Sequence, residues 1–339
     1  MTDAKRLTLA HGSGGEPMQQ LLHQHIQPLF DNAILARQED QARLNMTLAP
    51  GERLAFTTDS FVVTPLCFPG GNIGTLAANG TLNDLVVGGA RPHYLSCALI
   101  IEEGLPLETL QALLADLARE VRAAGALVVT GDTKVVPRGA ADGLFINTSG
   151  IGVIPAAVDL GTHRLKAGCR LLVSGPVGDH GAAILACRRE LALGGDLISD
   201  CASLWPLVKG MLEEPGLLAM RDATRGGVNA VLHEFAAAAG LSVELEEAAI
   251  PVRPAVRGLC ELLGLDPLQL ACEGRLLAAV EADAAERMLE RMHAHPLGSG
   301  AQLIGRLVPQ RNSAVIVRGL YGVERSLPAV SGELLPRIC

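Results

Sequence analysis

Two apolar runs, 126–129 and 144–154, follow one another along the chain with no long crossover between them. Parallel neighbours in a sheet are usually joined through a crossover helix, whereas antiparallel neighbours need only a turn. The spacing therefore argues against an all-parallel sheet and predicts a mixed or antiparallel one with its helices on one face. Runs at 54–56 and 94–101 add strands to the same set. Between them, 75–87 reads as a helix with small residues on one side. Over 107–124, Leu107, Leu110, Leu113, Leu114, Leu117 and Val121 recur at helical spacing before Gly125, a suitable C-terminal cap. A further helix is expected over 18–30.

The turn-rich stretch 154–168 breaks this alternation, and 170–174 opens a second series. Helices are expected there near 182–190, 204–212, 228–239 and 284–293, with strands near 241–245, 276–281, 303–308 and 313–317. The 339 residues divide into a leader with a glycine-rich loop (1–40), an N-terminal domain (41–158), a C-terminal α/β domain (165–318) and a tail (319–339). A composition of 49% apolar and 3% aromatic residues, with 38 glycines, suits an α/β enzyme built from small side chains.

A formal charge of -8 gives no electrostatic reason to expect nucleic acid, and so few aromatics supply no stacking platform for single strands. No apolar run approaches the ~18 residues that span a bilayer, and the first residues lack a signal-peptide pattern, so a cytoplasmic protein without a membrane partner is expected. Eight cysteines form no CxxC pair. One of them, Cys339, is the last residue. From Gly319 onward Gly, Pro and Ser recur too often for a helix, without strand alternation, so the segment reads as a mobile arm that presents a thiol. Extended, its roughly twenty residues reach about 65 Å.

Three acidic motifs occupy the first half: Thr57-Thr58-Asp59-Ser60, Asn83-Asp84 and Gly131-Asp132-Thr133-Lys134. Each is expected where an apolar run ends or a helix turns, with small neighbours that let a ligand approach the backbone. Carboxylates converging on one crevice repel each other, and Mg²⁺ bridging to phosphate oxygens relieves that repulsion. Lys134 supplies positive charge for a phosphoryl group. The chain holds no GxxxxGK[ST], which excludes a Walker-type site, but Gly12-Ser13-Gly14-Gly15 after His11 forms a loop able to cover phosphates with backbone N–H groups. Any one of these motifs alone favours a turn or cap over a ligand; three in one half, with a lysine and a glycine loop, bring the two readings level. The second half adds Arg221-Asp222-Ala223-Thr224-Arg225-Gly226-Gly227, Ala271-Cys272-Glu273-Gly274-Arg275 and Gly178-Asp179-His180-Gly181, where helix capping by the aspartates is the competing reading.

Taken in order, HGSGG (11–15), TTDS (57–60), NDLVVGGARP (83–92), GDTKVV (131–136), GDHG (178–181), RDATRGGV (221–228), ACEG (271–274) and the terminal PRIC closely resemble the HypE family of hydrogenase maturation proteins. That family lies in an ATP-binding superfamily with aminoimidazole ribonucleotide synthetase, selenide water dikinase and thiamine-monophosphate kinase. The resemblance covers essentially the whole chain, and a glycine loop without cysteine sets it apart from selenide water dikinase. It implies a two-domain, aminoimidazole-ribonucleotide-synthetase-like fold and a homodimer in which N-terminal strands of two subunits share a barrel.

The resemblance also implies chemistry. The Cys339 thiol would receive a carbamoyl group from the carbamoyltransferase HypF. ATP-dependent dehydration would turn the thiocarbamate into a thiocyanate, whose cyano group passes to iron on a HypC-HypD complex for a [NiFe]-hydrogenase. Asp59, Asp84 and Asp132 would hold Mg²⁺ against ATP, with Gly12, Ser13, Gly14, Gly15, Ser60, Asn83, Thr133 and Lys134 around the nucleotide. Lys134 would stabilise developing charge, and Glu273 is the first candidate for a base, with His11 and Asp222 in reserve. Competing readings keep the fold but make the protein a kinase or synthetase of a free small molecule, or a scaffold whose tail only docks partners.

Overall fold

The two halves of the sequence build two separate sheets. The computed structural model describes residues 6–188 and 197–330. In the leader, α1 (Glu16–Leu21) passes into a wider turn over Leu22–Ile26 and a tight one over Gln27–Leu29, in place of the expected single helix. Pro28 has no N–H to continue a helical ladder. The N-terminal domain then runs β1 (Arg53–Phe61), the small hairpin β2 (Cys67–Phe68) and β3 (Gly71–Asn72), α2 (Ile73–Val87), β4 (Arg91–Glu102), α3 (Leu107–Ala123), β5 (Leu127–Val136) and β6 (Leu144–Ile154).

Its main sheet has the order β1-β6-β4-β5. Only β4 and β5, joined through α3, are parallel and the other pairs are antiparallel, so the sheet is mixed as expected, but the two strands of the 126–154 stretch, β5 and β6, are not neighbours: β4 lies between them. The strands are longer than their apolar runs. TTDS and GDTKVV lie inside β1 and β5 and not beyond their ends, because residues on the outward face of a strand need not be apolar.

Leu95, Cys97, Leu99, Leu144 and Ile146 face inward and are buried. Helix α2 is buried throughout except at Asp84, and its N-terminus is capped by the Asn72 side chain, which accepts from the Gly74 and Thr75 N–H groups. The outward face lacks such a cover: Phe56 is 71% and Leu54 56% exposed, and Ile100 is also exposed.

The C-terminal domain comprises β7 (Arg170–Val173), α4 (Asp179–Arg188), α5 (Trp205–Met211), β8 (Leu217–Asp222), α6 (Gly227–Ala239), β9 (Ser242–Glu246), α7 (Pro254–Leu263), β10 (Leu276–Val280), α8 (Ala285–His293), β11 (Gln302–Val308), β12 (Val315–Arg318) and β13 (Glu324–Ser326). Seven strands lie in the order β13-β12-β9-β11-β7-β10-β8, mixed again, since β12 pairs with β9 in parallel. Strand β8 and helix α7 have no counterpart among the expected elements. The domains share apolar packing: Val86 and Val87 of α2 sit with Leu204, Leu207, Met211, Leu217 and Met220.

The expected arm from 319 onward needs correction at its root. Residues 319–328 include β13, which pairs with β12, and Leu327, which is buried against the α6 side of the domain core. The glycines there form a hairpin bend, and a three-residue strand is too short to show alternation. Among the described residues, no helix is long and apolar enough to cross a membrane.

Candidate active site

Strand alternation puts Thr57, Asp59 and Phe61 of β1 on the face that α2 covers. Asp84, in the last turn of α2, meets them there, and the Thr57 hydroxyl donates to Asp84 Oδ2 at 2.6 Å. From the second domain, Asp222 at the end of β8, Thr224 and Arg225 before α6, and Glu273 before β10 close the same crevice. Four carboxyl groups thus share a space with the Arg225 guanidinium. Burial pushes Asp59 up to about 6, with the Asp84 charge adding to it. Asp222 rises to about 7 through burial, Asp84 and Asp59. Glu273 lies well above the ordinary carboxylate range, from burial first and then from Asp200, Asp222 and Asp59.

Glu273 is held rigidly. Its N–H donates to Asp200 Oδ1 at 3.0 Å, and Asp200 lies 3.6 Å from the Arg275 guanidinium. Gly274 permits the close approach, since a Cβ there would fall 1.9 Å from the Asp200 carbonyl. The Glu273 Oε1 atom is buried without a hydrogen-bond partner, which leaves it open to a ligand. Asn83 serves the domain boundary and not the crevice wall: its Nδ2 donates to the carbonyls of Ala202 and Glu273, and its Oδ1 accepts the Leu204 N–H at 2.8 Å.

Asp132 and Lys134 stand elsewhere. In the register of the sheet, Ser60, Asn147, Ala98 and Asp132 form one row, while Asp59, Thr148, Cys97 and Gly131 form the next. Asp59 and Asp132 therefore project from opposite faces, on opposite edge strands separated by three spacings of about 4.8 Å. This corrects the expectation that Asp59, Asp84 and Asp132 of one chain surround a single cation: TTDS and GDTK look alike in sequence, but their carboxylates fall on different strand phases. Lys134 pairs with Asp132 at 3.3 Å.

The glycine loop joins Asp132 and Lys134 at this edge, with Gly12 so close to β5 that a Cβ would lie 2.6 Å from the Val135 nitrogen. Gln38, Glu39, Asp40 and Gln41 of the leader line an open groove beside Thr130 to Thr133. Ser13 bonds locally to the Leu9 carbonyl, and His11 accepts the Thr8 N–H through Nδ1, far in the fold from the crevice. Cys339 lies outside the described residues.

Arg225, Asp200 and Arg275 carry weight that the sequence reading did not give them. Arg225 and Arg275 belong to motifs already noted, whereas Asp200 lies in no recognisable pattern. The other thiols offer no activated nucleophile where a shift is resolved: burial pushes Cys97 up to about 12 and Cys201 well above the ordinary thiol range.

Two α/β domains meeting at a crevice rich in carboxylates, with a glycine loop and a lysine on a separate sheet edge, define an AIR-synthase-like protein. The AIR synthase related protein N-terminal domain matches residues 38–154, and the C-terminal domain of the same family matches 166–318. "Carbamoyl dehydratase HypE" of Escherichia coli (strain K12) is 58% identical over 335 residues, covering 98% of this chain and 99% of that protein. A solved HypE in complex with ATP superposes with a TM-score of 0.93 at 43% identity, covering 98% of this chain and all of that one. A chain of a HypE-HypF complex matches with a TM-score of 0.80 at 38% identity, covering 93% of this chain and all of that one. The chain belongs to the HypE family of hydrogenase maturation proteins.

Proposed function

We propose that the chain is an ATP-dependent carbamoyl dehydratase acting on its own S-carbamoylated Cys339. The observation that carries this reading is the crevice in which Glu273, with a free buried carboxyl oxygen, faces Asp59, Asp84 and Asp222, in a chain whose relatives bear that activity as their name. The thiocarbamate R–S–C(=O)–NH₂ loses its oxygen to the γ-phosphoryl group of ATP and both amide protons to bases. The C≡N bond forms as phosphate departs, leaving R–S–C≡N, ADP and phosphate.

Glu273 takes an amide proton. A carboxylate with a raised pKa is the stronger acceptor once ionised, and Asp222 is suited to the second proton. The repulsion between Asp59 and Asp84 fits a Mg²⁺ ion, which would supply charge neutralisation for the phosphates. Among the described residues no ready-made group of three His, Cys, Asp or Glu side chains exists, so water and phosphate oxygens would complete its shell. The glycine loop, Ser60, Thr133 and Lys134 complete the nucleotide side, and Lys134 stabilises charge during transfer.

Separation of the β5 edge from the crevice within one chain supports a homodimer in which each copy's edge serves the other's crevice. The uncovered outward face, with Phe56, Leu54 and Ile100, is the surface for a shared barrel. HypF would supply the carbamoyl group, as the HypE-HypF assembly suggests. A HypC-HypD complex would receive the cyano group on its iron, in the cytoplasm.

The test is intact-mass spectrometry after incubation with a carbamoylating system, before and after Mg-ATP, with Cys339→Ala as control. One carbamoyl group gained at Cys339 and one water lost with ATP are expected. A chain left unmodified by a verified donor system would sink the reading and favour a small-molecule kinase.

A further inference from the structure

Arg225 stands in the crevice with its side chain uncommitted. It lines the space with Asp59, Asp84, Asp222 and Glu273, yet among the described residues its guanidinium makes no ion pair and no hydrogen bond. The neighbouring arginines are all spent. Arg221 pairs with Glu234 at 3.7 Å, Arg253 with Asp179 at 3.1 Å, and Arg275 with Asp200 at 3.6 Å and the Leu297 carbonyl at 3.0 Å. The Arg225 charge still reaches the crevice, where it opposes the rise that burial gives Asp59 and Glu273. Its mount is rigid. The Ala223 N–H donates to the Arg275 carbonyl at 3.0 Å, the Cys272 N–H donates to the Ala223 carbonyl at 2.9 Å, and Asp222 pairs with Leu276 across β8 and β10. Gly226 and Gly227 then turn the chain into α6 with φ of 79° and 59°, and a Cβ at Gly227 would lie 2.4 Å from the Leu270 carbonyl oxygen. The loops bearing Arg225 and Glu273 are therefore one body, with the guanidinium and the base carried on a shared backbone unit.

We propose that Arg225 is a catalytic residue that grips the phosphoryl group once it has been transferred to the thiocarbamate oxygen, and that it carries the charge of the departing phosphate. The assignment rests on the dehydratase reading and deepens it. Four carboxyl groups in one crevice repel a phosphate dianion, and a planar cation with parallel N–H donors is the side chain suited to hold one there. In the adduct R–S–C(=NH)–O–PO₃²⁻ the C–O bond breaks and its electron pair leaves with the phosphate. The remaining N–H proton passes to a carboxylate, for which Asp222 is placed, and the electron pair it releases closes C≡N. Negative charge gathers on the leaving oxygen, and an unspent guanidinium on the wall that bears Glu273 offsets it. Lys134, on the separate β5 edge, serves the nucleotide side, so the two cations have different tasks.

Two measurements on the full chain test this role. Inorganic phosphate is titrated calorimetrically, with Mg-ADP present, into Cys339→Ala chains with and without Arg225→Ala. Loss of the charge-assisted bonds is expected to weaken phosphate about tenfold or more, at an unchanged melting temperature because the side chain is exposed and unpaired. Single-turnover loss of water from the carbamoylated chain is expected to slow about 10²-fold in Arg225→Ala. Arg225→Lys should recover part of that rate, and so should guanidinium added to Arg225→Ala well below denaturing concentrations, whereas Glu273→Gln should not respond to guanidinium. Equal phosphate affinity in the two chains would overturn the assignment, as would an unchanged rate or a loss that neither lysine nor guanidinium restores. A verified carbamoylated wild type that releases no water would remove the dehydratase reading, while the titration would still decide whether Arg225 holds phosphate.

Discussion

The acidic crevice and the β5 edge carry sequence motifs of the same design, yet they are physically opposite. Asp59 faces inward under α2 with its pKa raised to about 6, crowded by Asp84 and shielded from water. Asp132 faces outward in a simple ion pair with Lys134, beside the glycine loop that packs on β5. One region crowds carboxylates together; the other sets a carboxylate against a lysine. A strand's two-residue period decides which aspartate becomes which, and that phase is set by burial of neighbouring side chains and not by the motif.

The sharpest way to break the comparison is to remove one member of each half. Glu273→Gln is expected to lower turnover by about 10²–10⁴-fold, the span usual for a general base, and Lys134→Ala by a comparable factor through lost charge stabilisation. Both are read by single-turnover mass spectrometry, and either variant retaining wild-type rate would strike that half from the site. Mixing the two inactive variants distinguishes the arrangements. If the crevice of one copy works with the β5 edge of the other, random re-pairing restores about a quarter of wild-type activity; if both halves serve within one chain, nothing returns.

A smaller but independent effect concerns the uncovered face. Phe56→Arg is expected to shift the protein towards monomer in analytical ultracentrifugation and to lose activity with it, because a charge replaces a side chain that is 71% exposed in a single chain. An unchanged dimer would place the interface elsewhere.

The smallest effect is one of stability. Asp222 has a folded pKa of about 7, above its ordinary value near 4, so the native state holds a proton the unfolded chain has lost. Its cost to stability is absent below about pH 4, grows as pH rises, and is complete above about pH 7. Asp222→Asn should therefore stabilise the metal-free protein at pH 8, seen as a raised melting temperature, and gain nothing at pH 4. Addition of Mg²⁺ should shrink the difference.

Much of this was legible in the chain. A mixed sheet was expected and found, although the two strands that suggested it, β5 and β6, do not pair; helical spacing from Leu107 to Val121 foretold α3, because burial imposes a period that apolar residues report directly. The motifs also named the residues that meet in the crevice. What stayed hidden depends on tertiary placement. Asp200, buried among few sequence cues, supports Glu273 only through the fold. Asn83 reads as a ligand beside Asp84, but its amide bonds are spent on the other domain's backbone. Residues 319–328 read as loose because Gly and Pro mark a hairpin as readily as an arm.

That use of Asn83 has a mechanical outcome. It sits one residue from Asp84, and three residues further the valines of the same helix are embedded in the second domain. Swinging the domains apart would break three hydrogen bonds and strip apolar surface from the helix that carries Asp84. Parting the domains at the crevice therefore carries the cost of these contacts, and the two walls of the crevice are tied together by the same helix that supplies Asp84 to it.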